Sequence, residues 1–334
     1  KVGDFQLLNL SISSIDDKFA LEGEPLVKEL SEILCGLLLE PAFLSEKFDL
    51  SSFEVERQGL IDTIEAEINE KTSFAVHRLI ELMCAEEPFG LNKYGKIEEI
   101  RALTLADVVK QYRELLVSAR MEIFFVGCGD AHKACECFTR RLAGLDRKPS
   151  TALVSSCVPA ASEPRKVTEH YQVGQAKIVM GFRVDAPDSA QRDAARVMSA
   201  VFGGTPRSLL FMNVREKLSL CYYCSSRYDT QKNILYVNSG VEFENIEKAQ
   251  TEILNQLQLL KNGEFSDQLL EETKLMITSS FQTVNDSTST VEGWYLGQLF
   301  HSEILTPEQQ AERLAAVTKQ QIVEAANAVT LDMV

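Results

Sequence analysis

The stretch from residue 203 to residue 223 constrains the fold most, because it predicts a helix end, a second helix and a strand in quick succession. Gly203 and Gly204 predict the end of a helix and a structural loop, since glycine adopts the left-handed C-cap conformation without penalty. Pro206 suits the first turn of a new helix, and a strand is predicted to begin near Leu220. The apolar side of the new helix comprises Leu209, Leu210, Met212 and Val214.

Two polar side chains flank this helix-to-strand junction, the cation Arg215 and, seven residues later, the phenol Tyr222. The block Gly-Gly, Ser-x-Leu-Phe, Arg-Glu-Lys and Leu-x-Tyr resembles the insulinase/pitrilysin-type peptidases, the inverzincins, whose zinc motif is His-x-x-Glu-His. This resemblance implies that Arg215 and Tyr222 are substrate-binding residues that reach a bound peptide. One departure is Ser219, where the family more often has glycine. The alternative interpretation makes Arg215 a solvated helix end and Tyr222 a core residue of the strand.

The length and charge of the chain narrow the function classes. Its 334 residues are more than a single hydrophobic core usually accommodates, so two domains are expected. The net charge of −15 argues against a nucleic acid or an anionic membrane as partner and permits a basic peptide. No apolar run approaches the roughly 20 residues that cross a bilayer. Eight scattered cysteines favour reduced thiols, and therefore a cytoplasmic location.

Cys221 and Cys224 form a lone Cys-x-x-Cys motif within the predicted strand. Residues three apart in a regular strand point to opposite faces. This geometry is poor for a metal site or a redox disulfide, so neither is predicted here.

The resemblance implies an α+β chain of two tandem similar domains, each a mainly antiparallel sheet with helices packed on one face. Hydrophobic periodicity predicts the individual strands and helices. Strands are predicted at residues 5–15, 121–126, 166–172, 176–184, 220–228 and 233–241. Helices are predicted at residues 25–39, 53–68, 74–84, 104–116, 130–142, 189–202, 246–260, 266–284, 291–300, 307–317 and 318–328. Residues 146–164 lack periodicity and predict a linker between a first domain, 1–145, and a second domain, 165–334.

An internal repeat supports the two equivalent domains. Thr104 and Thr318 lie 214 residues apart (318 − 104), and each begins a similar segment with a capping box, to Asp107 and Gln321 respectively. Residue 1 corresponds to a point well past the start of the second domain. The first domain is therefore expected to lack its opening strand-helix-strand segment, in which the family carries its zinc motif.

The residues for zinc chemistry are not in the expected pattern. The four histidines lie far apart in sequence, so no histidine pair one helical turn apart can form. In active members of the resembled family, the third ligand lies in a segment of the type Glu-Arg-x-x-x-x-x-Glu. Glu56 and Arg57 match its opening, which places Thr63, a poor zinc ligand, at the ligand position. We predict no catalytic residue, no metal site and no cofactor in this chain.

Three functions remain open from these residues. The favoured one is a non-catalytic subunit of a heteromeric zinc metallopeptidase, which supplies Arg215 and Tyr222 to a peptide substrate beside a zinc-bearing paralogue, as a homo- or heterodimer. The second is a catalytically dead peptide-binding or scaffold protein. The third is a fragment of an active peptidase whose metal motif lies upstream of residue 1, and Thr63 argues against it. The resemblance extends from about Phe53 onward and is strongest at residues 202–226.

Overall fold

The computed structural model describes residues 1–45, 48–149, 155, 157–301 and 303–334. Before residue 150 the described chain is helical or irregular. Thr104 and Asp107 form the predicted capping box at the start of α5, in which each side chain bonds the other residue's backbone N–H. The helices of this part are α1 (Leu26–Leu39), α2 (Leu50–Ala66), α3 (Lys71–Met83), α4 (Ile97–Ala102), α5 (Leu105–Ser118) and α6 (Ala131–Leu142).

After residue 164 the chain combines a sheet with helices. The strands are β1 (Ala176–Val184), β2 (Cys221–Asp229), β3 (Ile234–Val241) and β4 (Val329–Met333). The α-helices are α7 (Ser189–Ser199), α8 (Ile246–Lys261), α9 (Asp267–Gln282), α10 (Thr288–Leu296), α11 (Pro307–Ala315) and α12 (Lys319–Asn327). Two π-helices follow α7, here called π1 (Ala200–Gly204) and π2 (Leu210–Lys217). The predicted capping box of Thr318 and Gln321 begins α12. This combination confirms the α+β class.

The four strands form one antiparallel sheet in the order β2-β3-β1-β4. β2 and β3 are the predicted hairpin, and Asn233 at its turn has φ of 52°, a conformation that asparagine tolerates. β4 comes from the end of the chain and was not predicted, because its five residues follow α12 directly. The sheet therefore joins the two ends of the second domain.

Helices cover both faces of this sheet. The main core lies between one face and α7, π1, π2, α8 and α12, and it buries Phe182, Val197, Phe202 and Leu260 completely. The other face packs against α3, where Leu79 and Met83 meet Val179 and Ile234 of the sheet. Gly181 of β1 makes room for α3, since a Cβ there would lie 2.6 Å from the Met83 Sδ. A helix from the predicted first domain thus covers the face that the helices after residue 164 leave open.

Three predicted strands are wrong. Residues 6–15 and 121–126 form no ladder, and Phe5 makes a single bridge to Val2. Of residues 166–172, only Val167 continues the short pairing of Arg165 with the end of β4. A strand needs a neighbouring strand to pair with its N–H and C=O groups. These segments have the apolar alternation of a strand, but within the described chain no neighbouring strand forms a ladder with them.

The predicted linker, residues 146–164, falls partly outside the described residues, since 150–154 and 156 are not described. Its described residues belong to no helix or strand. The domain boundaries at 145 and 165 remain a prediction.

Buried charges connect the first domain to the sheet. Lys232, in the β2–β3 turn, is fully buried and contacts Glu87 at 2.8 Å and Asp4 at 2.9 Å. Glu87 also accepts a hydrogen bond of 2.5 Å from Arg183 of β1. Arg183 contacts Asp332 of β4 at 3.5 Å. We call these side chains the buried charge cluster. Within it, opposite charges neutralise each other, which offsets the cost of burying them. The cluster comprises Asp4, Glu87, Arg183, Lys232 and Asp332.

Candidate functional site

The helix that carries Arg215 is π2, which begins at Leu210, whereas the sequence predicted a helix beginning near Pro206. Pro206 lies in a turn before it, and the Ser208 hydroxyl closes that turn by donating to the Thr205 carbonyl oxygen at 2.6 Å. Leu210 and Val214 are fully buried and hold π2 against the core. π-helical turns are rare and frequently occur at functional sites.

Gly203 and Gly204 lie inside π1 rather than in a loop, and neither has a positive φ. The chain does leave the helix at Thr205, which is extended. Gly203 is required by a close approach, because a Cβ there would lie 2.6 Å from the Ser226 backbone nitrogen of β2. The predicted left-handed conformation is therefore wrong, and tight packing of π1 on β2 is the physical reason for this glycine.

Ser219 connects π2 to β2 with φ of 49°. Side chains other than glycine adopt this left-handed region at a cost. The one departure from the resembled block therefore falls where the backbone favours glycine. The Ser219 N–H donates to the Arg215 carbonyl oxygen at 3.0 Å, which secures the turn.

Arg215 lies at the surface end of π2, with 40 % of its side chain exposed. Its guanidinium stacks on the Phe211 ring, 4.6 Å from the centroid, and contacts Glu216 at 3.4 Å. Stacking one turn back along the helix orients the guanidinium while leaving its donors accessible.

Tyr222 is the extra residue of a β-bulge in β2. Cys221 pairs with Val241 and Tyr223 with Gly240, so Tyr222 has no partner of its own on β3. Bulges redirect side chains next to functional sites, and Tyr222 is 56 % exposed. The alternative of a strand-core tyrosine is therefore wrong.

The Tyr222 hydroxyl donates to the Glu242 Oε1 at 2.7 Å. This hydrogen bond, together with the negative charge of Glu242, raises the pKa of Tyr222 above its ordinary value. The phenol thus stays protonated as a donor. Arg215 and Tyr222 share no hydrogen bond within the described chain, and each faces solvent beside the same junction.

The bulge also changes the positions of Cys221 and Cys224. Their β3 partners, Val241 and Ser239, are two residues apart and so point to one face. The predicted placement of the two cysteines on opposite faces is wrong, because the sequence pattern does not include the extra residue at Tyr222.

The predicted zinc-ligand position does not fit a metal. Thr63 lies exposed on α2, and its hydroxyl donates to the Gly59 carbonyl oxygen of the same helix at 2.8 Å. The neighbouring carboxylate of Glu65 instead pairs with Arg101 at 3.5 Å. Among the described residues, no three His, Cys, Asp or Glu side chains form a group that would hold a metal ion.

Sequence reasoning missed Phe211 and Glu242, the side chains that orient Arg215 and Tyr222. Phe211 has a local signal, since it precedes Arg215 by four residues, a helical neighbour spacing. Glu242 has no such local signal in the sequence, because only the pairing of β2 with β3 brings it close to Tyr222.

No helix within the described ranges is long and apolar enough to span a membrane. The family described as "Peptidase M16 inactive domain" matches residues 102–277. The Bacillus subtilis (strain 168) protein named "Probable inactive metalloprotease YmfF" is 27 % identical over 335 residues, which cover 99 % of this chain and 78 % of that protein.

Two crystal structures share the fold. A conserved protein from Enterococcus faecalis V583 has a TM-score of 0.86 and 25 % identity, over 96 % of this chain and 75 % of the other. The peptidase M16 inactive domain from Pseudomonas fluorescens has a TM-score of 0.71 and 16 % identity, over 90 % of this chain and 73 % of the other. These matches confirm the resemblance: the chain belongs to the M16 peptidase family and is consistent with its inactive branch.

Proposed function

We propose that this chain is the non-catalytic subunit of a heteromeric zinc metallopeptidase, to which it supplies Arg215 and Tyr222 as peptide-binding groups. The observation that carries the proposal is the β-bulge that turns Tyr222 out of the ladder beside the π-helix that presents Arg215. Both side chains are exposed, and each is oriented by a neighbour, Phe211 or Glu242.

Their chemistry suits a peptide backbone. Arg215 offers several N–H donors with permanent positive charge, and Tyr222 offers one O–H donor. Donors aimed at a carbonyl oxygen bind the substrate and stabilise negative charge that develops on that oxygen during hydrolysis. Tyr222 exchanges its bond to Glu242 for the peptide when the substrate enters.

The partner is a paralogue with an intact zinc motif, because Thr63 and its surroundings do not supply a zinc ligand here. The net charge of −15 favours basic peptides as substrates. All eight cysteines are free thiols, from which we infer a reducing compartment, the cytoplasm.

Mixing experiments test this proposal. The chain is combined with a zinc-motif paralogue from the same genome, and hydrolysis of a basic peptide library is measured for each component and for the mixture. Activity is expected only in the mixture. Arg215→Ala is expected to lower kcat/KM of the mixture by about 100-fold, the effect of losing one donor to the developing charge, while co-elution on size-exclusion chromatography persists.

Arg207→Ala is the matched control, because Arg207 is exposed, lies in the same segment and pairs only with Glu272 on the described surface. It is expected to leave turnover unchanged. Unchanged turnover of the Arg215→Ala mixture contradicts the proposed role. A complex that forms but hydrolyses nothing supports instead the alternative of a peptide-binding or scaffold protein.

A further inference from the structure

Cys221 and Cys224 lie on one face of β2, next to each other. Tyr222, the extra residue of the bulge, has no partner on β3. The two cysteines therefore pair with Val241 and Ser239, which are two residues apart on β3. Two residues along a strand span about 6.7 Å. That is the span between their β3 partners, Val241 and Ser239. A disulfide, which accepts roughly 4.4–6.8 Å between Cα atoms, would therefore require the two cysteines to lie no farther apart than these partners. A regular strand without the bulge would have pointed the two thiols apart.

The surroundings of the two thiols differ. Cys224 is 3 % exposed and packs in the main core, whereas Cys221 is half-buried at the edge of that core. Cys221 is therefore reachable by a small oxidant, and Cys224 is reachable from Cys221.

Polar and charged neighbours favour the thiolate of Cys221. Hydrogen bonding with Cys224, contact with the Ser239 side chain and the positive charge of Arg215 together lower the pKa of Cys221 below its ordinary value, against the opposing effect of burial. The same proximity raises the pKa of Cys224, which keeps its proton. An accessible thiolate beside a protonated second thiol is the arrangement of a redox-sensitive pair.

We propose that Cys221 and Cys224 form a peroxide-sensitive dithiol, in which Cys221 is the attacking thiol and Cys224 the resolving thiol. This modification site does not depend on peptide binding. Its two cysteines flank Tyr222 in the sequence. A disulfide across the bulge would fix the backbone at Tyr222.

The chemistry balances with hydrogen peroxide as oxidant. The Cys221 thiolate attacks one peroxide oxygen, the O–O bond breaks, and the released hydroxide takes a proton to become water. The Cys224 sulfur then attacks the resulting sulfenic sulfur, the S–S bond forms, and hydroxide leaves with the Cys224 proton as a second water. Two thiols lose two electrons in total, and one peroxide is reduced to two waters.

A second thiol pair in the same chain provides an internal control. Cys35 of α1 and Cys137 of α6 are also adjacent, and both are buried, at 1 % and 2 % exposure. Burial raises the pKa of Cys35 to about 11 and also raises that of Cys137. This pair lacks both the accessible sulfur and the thiolate, so peroxide is expected to leave it reduced.

The experiment is peroxide treatment of the folded chain at pH 7, followed by alkylation, trypsin digestion and mass spectrometry. Cleavage after Lys217 and Arg227 leaves both thiols in one peptide, residues 218–227. That peptide is expected to lose both alkylation sites and two hydrogen atoms. Its oxidised fraction is expected to exceed that of a Cys35–Cys137 link by about tenfold, because thiolate character and exposure control reactivity.

Two variants separate the roles of the thiols. Cys224→Ser is expected to stop at a sulfenic acid on Cys221, trapped by dimedone, and Cys221→Ser is expected to leave Cys224 alkylatable. Circular dichroism verifies that both variants fold. The proposal is overturned if peptide 218–227 of the folded wild-type chain keeps two alkylatable thiols while the exposed Cys128 and Cys135 become oxidised. Equal oxidation of the Cys35–Cys137 pair overturns it as well.

Discussion

At the scale of single residues, one backbone angle at the junction between π2 and β2 explains a sequence preference beside the candidate site. Ser219 adopts φ of 49° directly between π2 and β2. The left-handed turn lets the chain reverse out of the helix and enter the strand with Tyr222 in the bulge. The resembled block has glycine most often at this position, and the structure supplies the reason, which is the strain of a Cβ in the left-handed region.

We expect Ser219→Gly to raise the free energy of unfolding by about 0.5–1 kcal/mol, since relief of the left-handed strain exceeds the added chain entropy of glycine in the unfolded state. Urea denaturation followed by circular dichroism measures it. Ser225→Gly is the matched control, because Ser225 lies exposed in the extended β2. It is expected to lower stability by about 0.5–1 kcal/mol. A destabilising effect of Ser219→Gly would show that its side chain offsets the strain.

At the scale of elements, the site depends on how closely π1 packs against β2. Gly203 of π1 approaches the backbone of Ser226, and the Ser226 hydroxyl donates to the Ser199 carbonyl oxygen at 2.7 Å. This contact holds the edge strand β2 against the core and thereby supports the bulge further along the strand. Periodicity predicted these elements well, because helix formation follows local apolar spacing. It did not predict the π-helical turns or the bulge, which depend on packing between elements.

We expect Gly203→Ala to destabilise the protein by about 2–3 kcal/mol, because the new methyl group would overlap the Ser226 nitrogen at 2.6 Å and the Leu210 Cδ1 at 2.7 Å. Gly204→Ala is the matched control. Its Cβ would lie 3.4 Å from its nearest neighbour, the Ala200 Cβ. A change within about 1 kcal/mol is expected there. Equal costs at the two positions would contradict the close-approach argument. Thermal denaturation of both variants decides between these outcomes.

At the scale of the whole molecule, the buried charge cluster and α3 join the first domain to the sheet. Glu87 lies in the predicted first domain, yet its partners Arg183 and Lys232 lie in the predicted second domain. Burial raises the pKa of Glu87, but the hydrogen bonds and charges of Arg183 and Lys232 outweigh it, so the pKa of Glu87 lies below its usual range. A carboxylate of this kind stabilises the fold above its unfolded pKa of about 4.3, and that stabilisation is lost as the pH falls through its lower folded pKa.

We expect Glu87→Gln to lower the free energy of unfolding at pH 7 by about 3–5 kcal/mol, because two buried cations lose their shared carboxylate. The stability of the variant should also depend less on pH below about 4.3 than that of the wild type, since one titrating group is gone. Urea denaturation from pH 3 to pH 7 measures both effects. Glu54→Gln removes an exposed pair with Arg57 and should cost less than about 1 kcal/mol. A parallel pH dependence of wild type and Glu87→Gln would exclude Glu87 as the acid-sensitive group.

The sequence by itself determined most of the α-helices, the hairpin and the family, since these depend on local spacing or on residue identity. Only the tertiary structure decided that Tyr222 lies in a bulge, that Cys221 and Cys224 share one face, and that Glu242 holds the phenol. It also decided that residues 6–15 and 121–126 form no strand. The physical reason is the range of the interactions. A helix satisfies its backbone within one segment, whereas a strand, a bulge or a buried ion is defined by partners that are distant in the chain.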